Sequence, residues 1–262
     1  MSCMPNLSKL GLGGHTFIEE LGNDPLASFE EQCTIVRECL DNGIQLIDTT
    51  YYQERVALGN VLRALGRRQE VQIMAWNFFN LPGQSDKLVG YSSYEPHHID
   101  VMLSELQTDF IDVLVIHTHD DEHKLLQEIE LAKQWVEQGK VGTVGLGMAE
   151  PAHLNRLPAD HPVTHILAPY NIAHQRTKET FVIAKEMGLT TVALSPFVRG
   201  WKLDEINSEQ AADLLLRWVS EQQVVDRVIV SMRKADWVHT NLQATQRGTL
   251  TEEENRLIKE WM

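Results

Sequence analysis

The chain has 262 residues, a length that suits one large domain, and its 43% hydrophobic content is enough for a substantial core. Lys and Arg total 23 against 37 Asp and Glu, so the formal charge is −14, a surface that repels nucleic acid and anionic membranes. The three cysteines (Cys3, Cys33, Cys39) include no CxxC pair, which argues against a disulfide framework or a zinc–cysteine site.

Short β-branched runs alternate with longer amphipathic stretches from end to end. The N-terminal Met1-Ser2-Cys3-Met4-Pro5 lacks the charged and apolar regions of a secretory signal, which makes the cytoplasm the default location. No uninterrupted apolar run approaches the ~20 residues needed to span a bilayer, so no membrane partner is expected. Leu7 to Gly13 reads as a first strand, and Cys33 and Cys39 fall in a stretch that reads as a helix, where buried free thiols are expected. Ile44 to Asp48 is a strand, Arg55 to Leu65 a helix and Val71 to Ala75 a strand. After a polar loop, a helix runs from about Pro96 to Leu106, with Pro at the tolerated start. Ile111 to Ile116 is the clearest strand and Glu122 to Glu137 the clearest helix, and Gly139 stands where a helix C-cap glycine belongs. Val141 to Leu146, His165 to Ala168, Thr190 to Leu194 and Val228 to Val230 are further strands. Helices near Arg176–Met187, Ser208–Glu221 and Ala235–Ala244 separate or follow them. About eight parallel βαβ units with no interrupting linker predict a closed (β/α)8 barrel of the TIM type, with residues 1–262 as a single domain. In such barrels the site lies at the C-terminal ends of the strands.

The first strand ends in Gly11-Leu12-Gly13-Gly14-His15. No predicted helix opens there, so the glycines indicate tight backbone rather than a dinucleotide fingerprint, and His15 is a candidate pocket residue. The second strand ends in Asp48-Thr49-Thr50-Tyr51-Tyr52, followed by Glu54 and Leu58-Gly59, and the third in Ala75-Trp76-Asn77. The fourth ends in Ile116-His117-Thr118-His119-Asp120. An Asp, a Tyr and a His from separate strand ends can converge above one barrel. The run from His117 to His123 has two readings. A His-x-His with nearby carboxylates suits a divalent metal, whereas acids at a helix start suit its dipole; the second is taken, and no metal is assigned. His97 and His98 are expected to face solvent. Trp76 either fills the barrel mouth or walls the substrate pocket.

Asp-Thr-x-x-Tyr with Glu and Leu-Gly, then Asp-Val-Leu-Val-Ile-His, Gly-Lys-Val-Gly-Thr-Val-Gly-Leu-Gly and Ser-Pro-Phe-x-x-Gly follow one another in order. This series, between Leu7 and Leu242, resembles that of the aldo-keto reductases. The resemblance implies carbonyl reduction with a hydride from NADPH and a tetrad of Asp, Tyr, Lys and His, in which a cation lowers the Tyr pKa and the Tyr gives the proton. Asp48 and His117 match the Asp and His. Tyr52, seven residues before Gly59, matches the Tyr; the segment from Asp48 is one residue short, which keeps Tyr51 as a rival. Trp76 occupies the Lys position. Met148 and Ala149 stand where the family presents Ser-Asn to the nicotinamide, Leu167 replaces its Gln and Leu194 its stacking Tyr. The resemblance further implies a cofactor site from Ser195, Phe197, Gly200, Ser231, Arg233, Lys234 and Asn241, with Arg233 and Lys234 as phosphate partners.

The expected function is therefore an NADP-dependent oxidoreductase for a small-molecule carbonyl or alcohol, with an altered active site and a substrate pocket that includes His15, Tyr51 and Trp76. Two alternatives stand beside it: a non-redox protein that binds a nucleotide or small ligand, and a metal-assisted lyase, isomerase or hydrolase using His117 and His119. The sequence does not define an oligomeric state.

Overall fold

The computed structural model describes residues 8–22, 24–80, 83–84, 87–198 and 208–262. Eight strands, β1 (Leu10–Leu12), β2 (Leu46–Tyr51), β3 (Gln72–Phe78), β4 (Ile111–His117), β5 (Val141–Gly147), β6 (Val163–Pro169), β7 (Thr190–Leu194) and β8 (Arg227–Val230), close into a barrel in chain order. All neighbours are parallel, and β1 closes the ring by pairing Leu10 with Val228 and Leu12 with Val230. The expected (β/α)8 architecture is the one observed.

The outer ring consists of α1 (Phe29–Asp41), α2 (Tyr52–Leu65), α3 (His98–Leu106), α4 (Glu122–Glu137), a one-turn α5 (Pro151–Leu154), α6 (Thr177–Glu186), α7 (Ser208–Glu221) and α8 (Asp236–Gln246), followed by α9 (Glu252–Trp261). Local chemistry sets their ends. The Ser28 hydroxyl accepts the backbone N–H of Glu31 to start α1, and Asp121 does the same for Lys124 in α4. Gly139 is left-handed (φ +73°), as a glycine following a helix should be. Cys33 and Cys39 are buried free thiols in α1, as expected, and burial pushes the Cys39 thiol up to about 12.

Several boundaries depart from expectation. The first strand spans only Leu10–Leu12. Helix α2 opens at Tyr52, three residues early, because the Glu54 carboxylate accepts the backbone N–H groups of Thr50 and Tyr51. Helix α9 was not anticipated, although Thr251 and Glu254 form the reciprocal cap that marks a helix start.

Because side chains alternate along a strand, every second residue faces the barrel axis. Leu46, Met74, Trp76, Val113, Val115, Leu167, Val192 and Ile229 form the inner core. A separate, larger core lies between strands and helices and includes Ile47, Ile73, Leu114 and Ile166.

Candidate active site

The same alternation carries the inward rows to the C-terminal rim. Two residues beyond Leu46 is Asp48, beyond Met74 come Trp76 and Phe78, beyond Val115 comes His117, and beyond Ile229 comes Ser231. The rim is largely aromatic. Tyr51 meets the edge of Phe78 (5.1 Å between centroids), and Phe78 lies 6.4 Å from Trp76 and 5.8 Å from His117. Tyr91, from the β3–α3 connection, stacks on His117 at 3.9 Å and 6°.

Trp76 both fills the barrel and closes its mouth. It is 2% exposed, and its ring lies against Gly147, where an added Cβ would come 2.0 Å from Cζ3. Its indole N–H donates to Asp48 Oδ1 at 2.7 Å. Asp48 is wholly buried. Desolvation, with the nearby Glu54 carboxylate, pushes it up to about 7, against the opposing pull of the indole hydrogen bond and of His15. Where the resemblance leads one to expect a Lys beside Asp48, the structure holds an Asp–Trp hydrogen bond.

Buried cations and amides support this rim. The Arg55 guanidinium, fully buried, donates to the carbonyls of Trp76 and Phe78 (2.9 Å each) and pairs with Glu105 at 2.6 Å, so α2 and α3 hold the end of β3. Asn77 accepts the backbone N–H of His117 and donates to the Ser92 carbonyl, which ties β3, β4 and the connection carrying Tyr91 together. His117 Nδ1 donates to the Thr118 carbonyl at 2.8 Å, and burial holds the imidazole below its ordinary pKa. The ring is therefore neutral near pH 7, with Nε2 carrying the lone pair.

His15 and Glu54 form a second pairing at the rim. Glu54 is fully buried, and His15 Nδ1 lies 2.7 Å from its Oε1, with the His15 ring 6.2 Å from Tyr51. Gly14 makes this approach possible: a Cβ there would lie 2.1 Å from Glu54 Oε2. Gly13 is similarly close to the Ser231 hydroxyl, so the glycine run does serve tight packing.

The structure brings together Asp48, Tyr51, Trp76, His117 and His15. Tyr52, the first residue of α2, is half-buried beside them in sequence but belongs to the helix. His119 pairs with buried Glu128 at 2.8 Å, its ring 6.3 Å from that of Tyr91. Among the described residues no group of three or more His, Cys, Asp or Glu could hold a metal ion. His97 is exposed, but the expectation that His98 faces solvent is corrected: its ring stacks on Phe79 at 3.8 Å, and Nδ1 accepts the Glu95 N–H. Sequence reasoning missed Phe78 and Tyr91 as rim residues. Phe78 was reachable by extending the alternation from Trp76, whereas Tyr91 carries no local signal.

The cofactor candidates lie on the β7–β8 side. Ser195 sits at φ +53°, a strained conformation for a residue other than glycine, and its carbonyl accepts the Asn171 amide at 2.7 Å. Phe197 packs against the outer core, and Asn241 is buried in α8. Gly200 lies outside the described residues. Ser231 is exposed after β8. Arg233 is buried, and its guanidinium donates to the carbonyls of His15, Ile18, Glu19 and Asp24 in the connection after β1. Lys234 is exposed, with its ammonium 4.9 Å from the centre of the Trp237 ring and 4.0 Å from Asp24. Leu167 lies in the inner core with Leu194 packed against it, which leaves the barrel apolar on this side, whereas Ala149 belongs to the outer core and Met148, at φ +58°, is exposed.

A sequence model of the Aldo/keto reductase family matches residues 9–209. The chain is 27% identical over 201 residues to probable aldo-keto reductase 1 of Glycine max, covering 74% of this chain and 57% of that protein. It is 25% identical over 211 residues to aldo-keto reductase YhdN of Bacillus subtilis strain 168, covering 77% and 62%. It thus spans less than two thirds of the length of these curated relatives. The aldo-keto reductase AKR11C1 of Bacillus halodurans, in its holo form, superposes with a TM-score of 0.77 at 22% identity, covering 97% of this chain and 92% of that one. An aldo/keto reductase of Klebsiella pneumoniae, solved with NADP and acetate, gives 0.75 at 19% identity over 97% and 91%. At these identities the likeness to the solved structures is one of fold.

Proposed function

Since the chain belongs to the aldo/keto reductase family, we propose that residues 1–262 act as one barrel unit, an NADP-dependent oxidoreductase for a small-molecule carbonyl or alcohol. The convergence of Asp48, Tyr51 and His117 around one rim carries this reading. Tyr51 rather than Tyr52 is assigned the proton, because its ring joins the rim aromatics. Neutral His117 offers its Nε2 lone pair to a substrate hydroxyl. Asp48 works through Trp76: it fixes the indole and hence the floor on which the substrate rests.

The fit to NADP is uneven. Lys234, backed by Trp237, and exposed Ser231 suit the phosphate end, and Arg233 supports that end from within by holding the connection after β1. The apolar centre suits the face of a nicotinamide ring and supplies few partners for its carboxamide. When bound, NADPH supplies the hydride.

The Asp48–Trp76 hydrogen bond also favours a second reading, a barrel that binds nucleotide or small ligand without turnover. One experiment separates the two. Tryptophan fluorescence is followed during titration with NADPH and, in comparison, NADH, and a panel of carbonyl compounds is then assayed for oxidation of the cofactor. The reductase reading predicts selective NADPH binding and turnover that falls about 100-fold in Tyr51→Phe but not in Tyr52→Phe. Binding without turnover would establish the second reading, and no binding of either nucleotide would sink the first.

A further inference from the structure

With Trp76 at the position of the lysine, the rim needs another source of positive charge beside its phenol, and the geometry points to His15. We propose that His15, held as an imidazolium by Glu54, is the positioning cation of this rim and returns the proton that Tyr51 gives up. The proposal rests on the reductase reading and deepens it.

Four observations support it. The Glu54 carboxylate is fully buried, and its paired atom is His15 Nδ1 at 2.7 Å. A buried carboxylate with such a partner favours the charged ring. Gly14 leaves the space that lets the carboxylate reach in beneath the ring. The His15 ring stands 6.2 Å from Tyr51. The His15 side chain is also one-third exposed, so it can exchange protons with solvent after each cycle.

Among the described residues, the groups facing His15 include Glu54 from α2, Asp48 and Tyr51 from β2, and Arg233 from the segment after β8, which donates to the His15 backbone carbonyl. Glu19, Glu20 and Asp24 in turn act on Arg233.

The proton bookkeeping closes. In a carbonyl reduction whose hydride comes from NADPH, the carbonyl carbon gains the hydride and its oxygen needs one proton. The Tyr51 O–H bond breaks toward that oxygen, leaving a phenolate. The imidazolium N–H of His15 breaks toward the phenolate, which is the stronger base. His15 is left neutral and is recharged by a proton from water. NADPH is oxidised, the carbonyl is reduced, and one proton is consumed.

The test is a ring-carbon NMR titration of the full chain labelled at histidine and tyrosine, without cofactor. The His15 and Tyr51 signals are assigned by their absence in His15→Gln and Tyr51→Phe. In the wild type His15 should titrate above the ordinary histidine midpoint of about 6.5. In Glu54→Gln that midpoint should fall by about one pH unit or more, and the Tyr51 signal should follow the His15 titration. A midpoint unmoved by Glu54→Gln, or a Tyr51 signal indifferent to it, overturns the proposal. If Glu54→Gln does not fold, kinetics decide. His15→Gln should lower kcat about 100-fold with little change in KM, and His15→Lys should restore most of it; equal loss in both variants refutes the role. Because the NMR arm needs neither nucleotide nor turnover, failure of the reductase reading and failure of this inference give different results.

Discussion

At the scale of single residues, the decisive feature is the indole beside Asp48. Trp76 brings large apolar volume and one N–H donor to a place where the sequence resemblance implies a cation. Desolvation of the Asp48 carboxylate pushes it up to about 7, outweighing the indole hydrogen bond and the charge of His15, which pull the other way. The consequence for stability has a definite sign. Asp48 has a raised pKa in the folded state, so the fold binds its proton more tightly than the unfolded chain does. The stabilisation is complete below about pH 4 and is lost as pH rises through about 7. Asp48→Asn keeps an oxygen for the indole and removes the charge. Relative to wild type it should therefore gain about 3 kcal/mol of stability on going from pH 5 to pH 8. Urea unfolding at the two pH values checks this, and an equal difference at both would show that Asp48 is ionised throughout. Asp48, His117 and Trp76 were all legible in the sequence, because motif order marks strand ends. The donor–acceptor pairing of Trp76 with Asp48 was not, since it depends on two neighbouring strands presenting inward residues at one level.

Among elements, the connections carry what the strands do not specify. The connection after β1 has few buried apolar side chains beyond Phe17 and Ile18, and the Arg233 guanidinium gathers its carbonyls instead. Replacing it with Met would leave several buried carbonyls unpaired at about 1–3 kcal/mol each for those that water cannot reach. The expected outcome is local: faster hydrogen exchange over residues 13–22, together with a lower Tm. Unchanged exchange there would mean that the loop is held by other contacts. Reading Arg233 as a phosphate partner came from its place after β8, which describes position along the chain; the direction of a long side chain is chosen by the carbonyls it finds. The early start of α2 has a similar origin, the Glu54 side chain capping backbone N–H groups; α3 starts late, at His98, whose own ring accepts the Glu95 N–H.

For the molecule as a whole, closure leaves the sheet without edges, and the helices are tied to it by ion pairs of very different value. Arg217 of α7 is buried and pairs with Glu254 of α9 at 2.6 Å while also donating to the Thr249 carbonyl. That partnership holds the Glu254 carboxyl down at about 2. Lys133 and Asp160 form an equally direct pair on the surface, with Asp160 largely in water. Arg217→Met should cost about 3 kcal/mol, because it removes a buried partner, and should lower the Tm by on the order of 8 °C. Lys133→Met should cost less than about 1 kcal/mol. Calorimetry on the two variants checks the contrast, and similar losses would mean that α9 contributes little to the fold.

The sequence by itself determined the barrel, because about eight strand runs alternating with helical stretches have few other ways to bury both faces of a parallel sheet. It also marked most of the strand residues that reach the rim, because alternation along a strand is a property of the backbone; Tyr91, brought there by a connection, carried no such mark. Only the tertiary structure decided which of those residues meet. The pairing of Trp76 with Asp48, of His15 with Glu54 and of Tyr91 with His117 depends on strand register, on loops crossing the mouth and on glycines that leave room. None of these is encoded within a short stretch of chain.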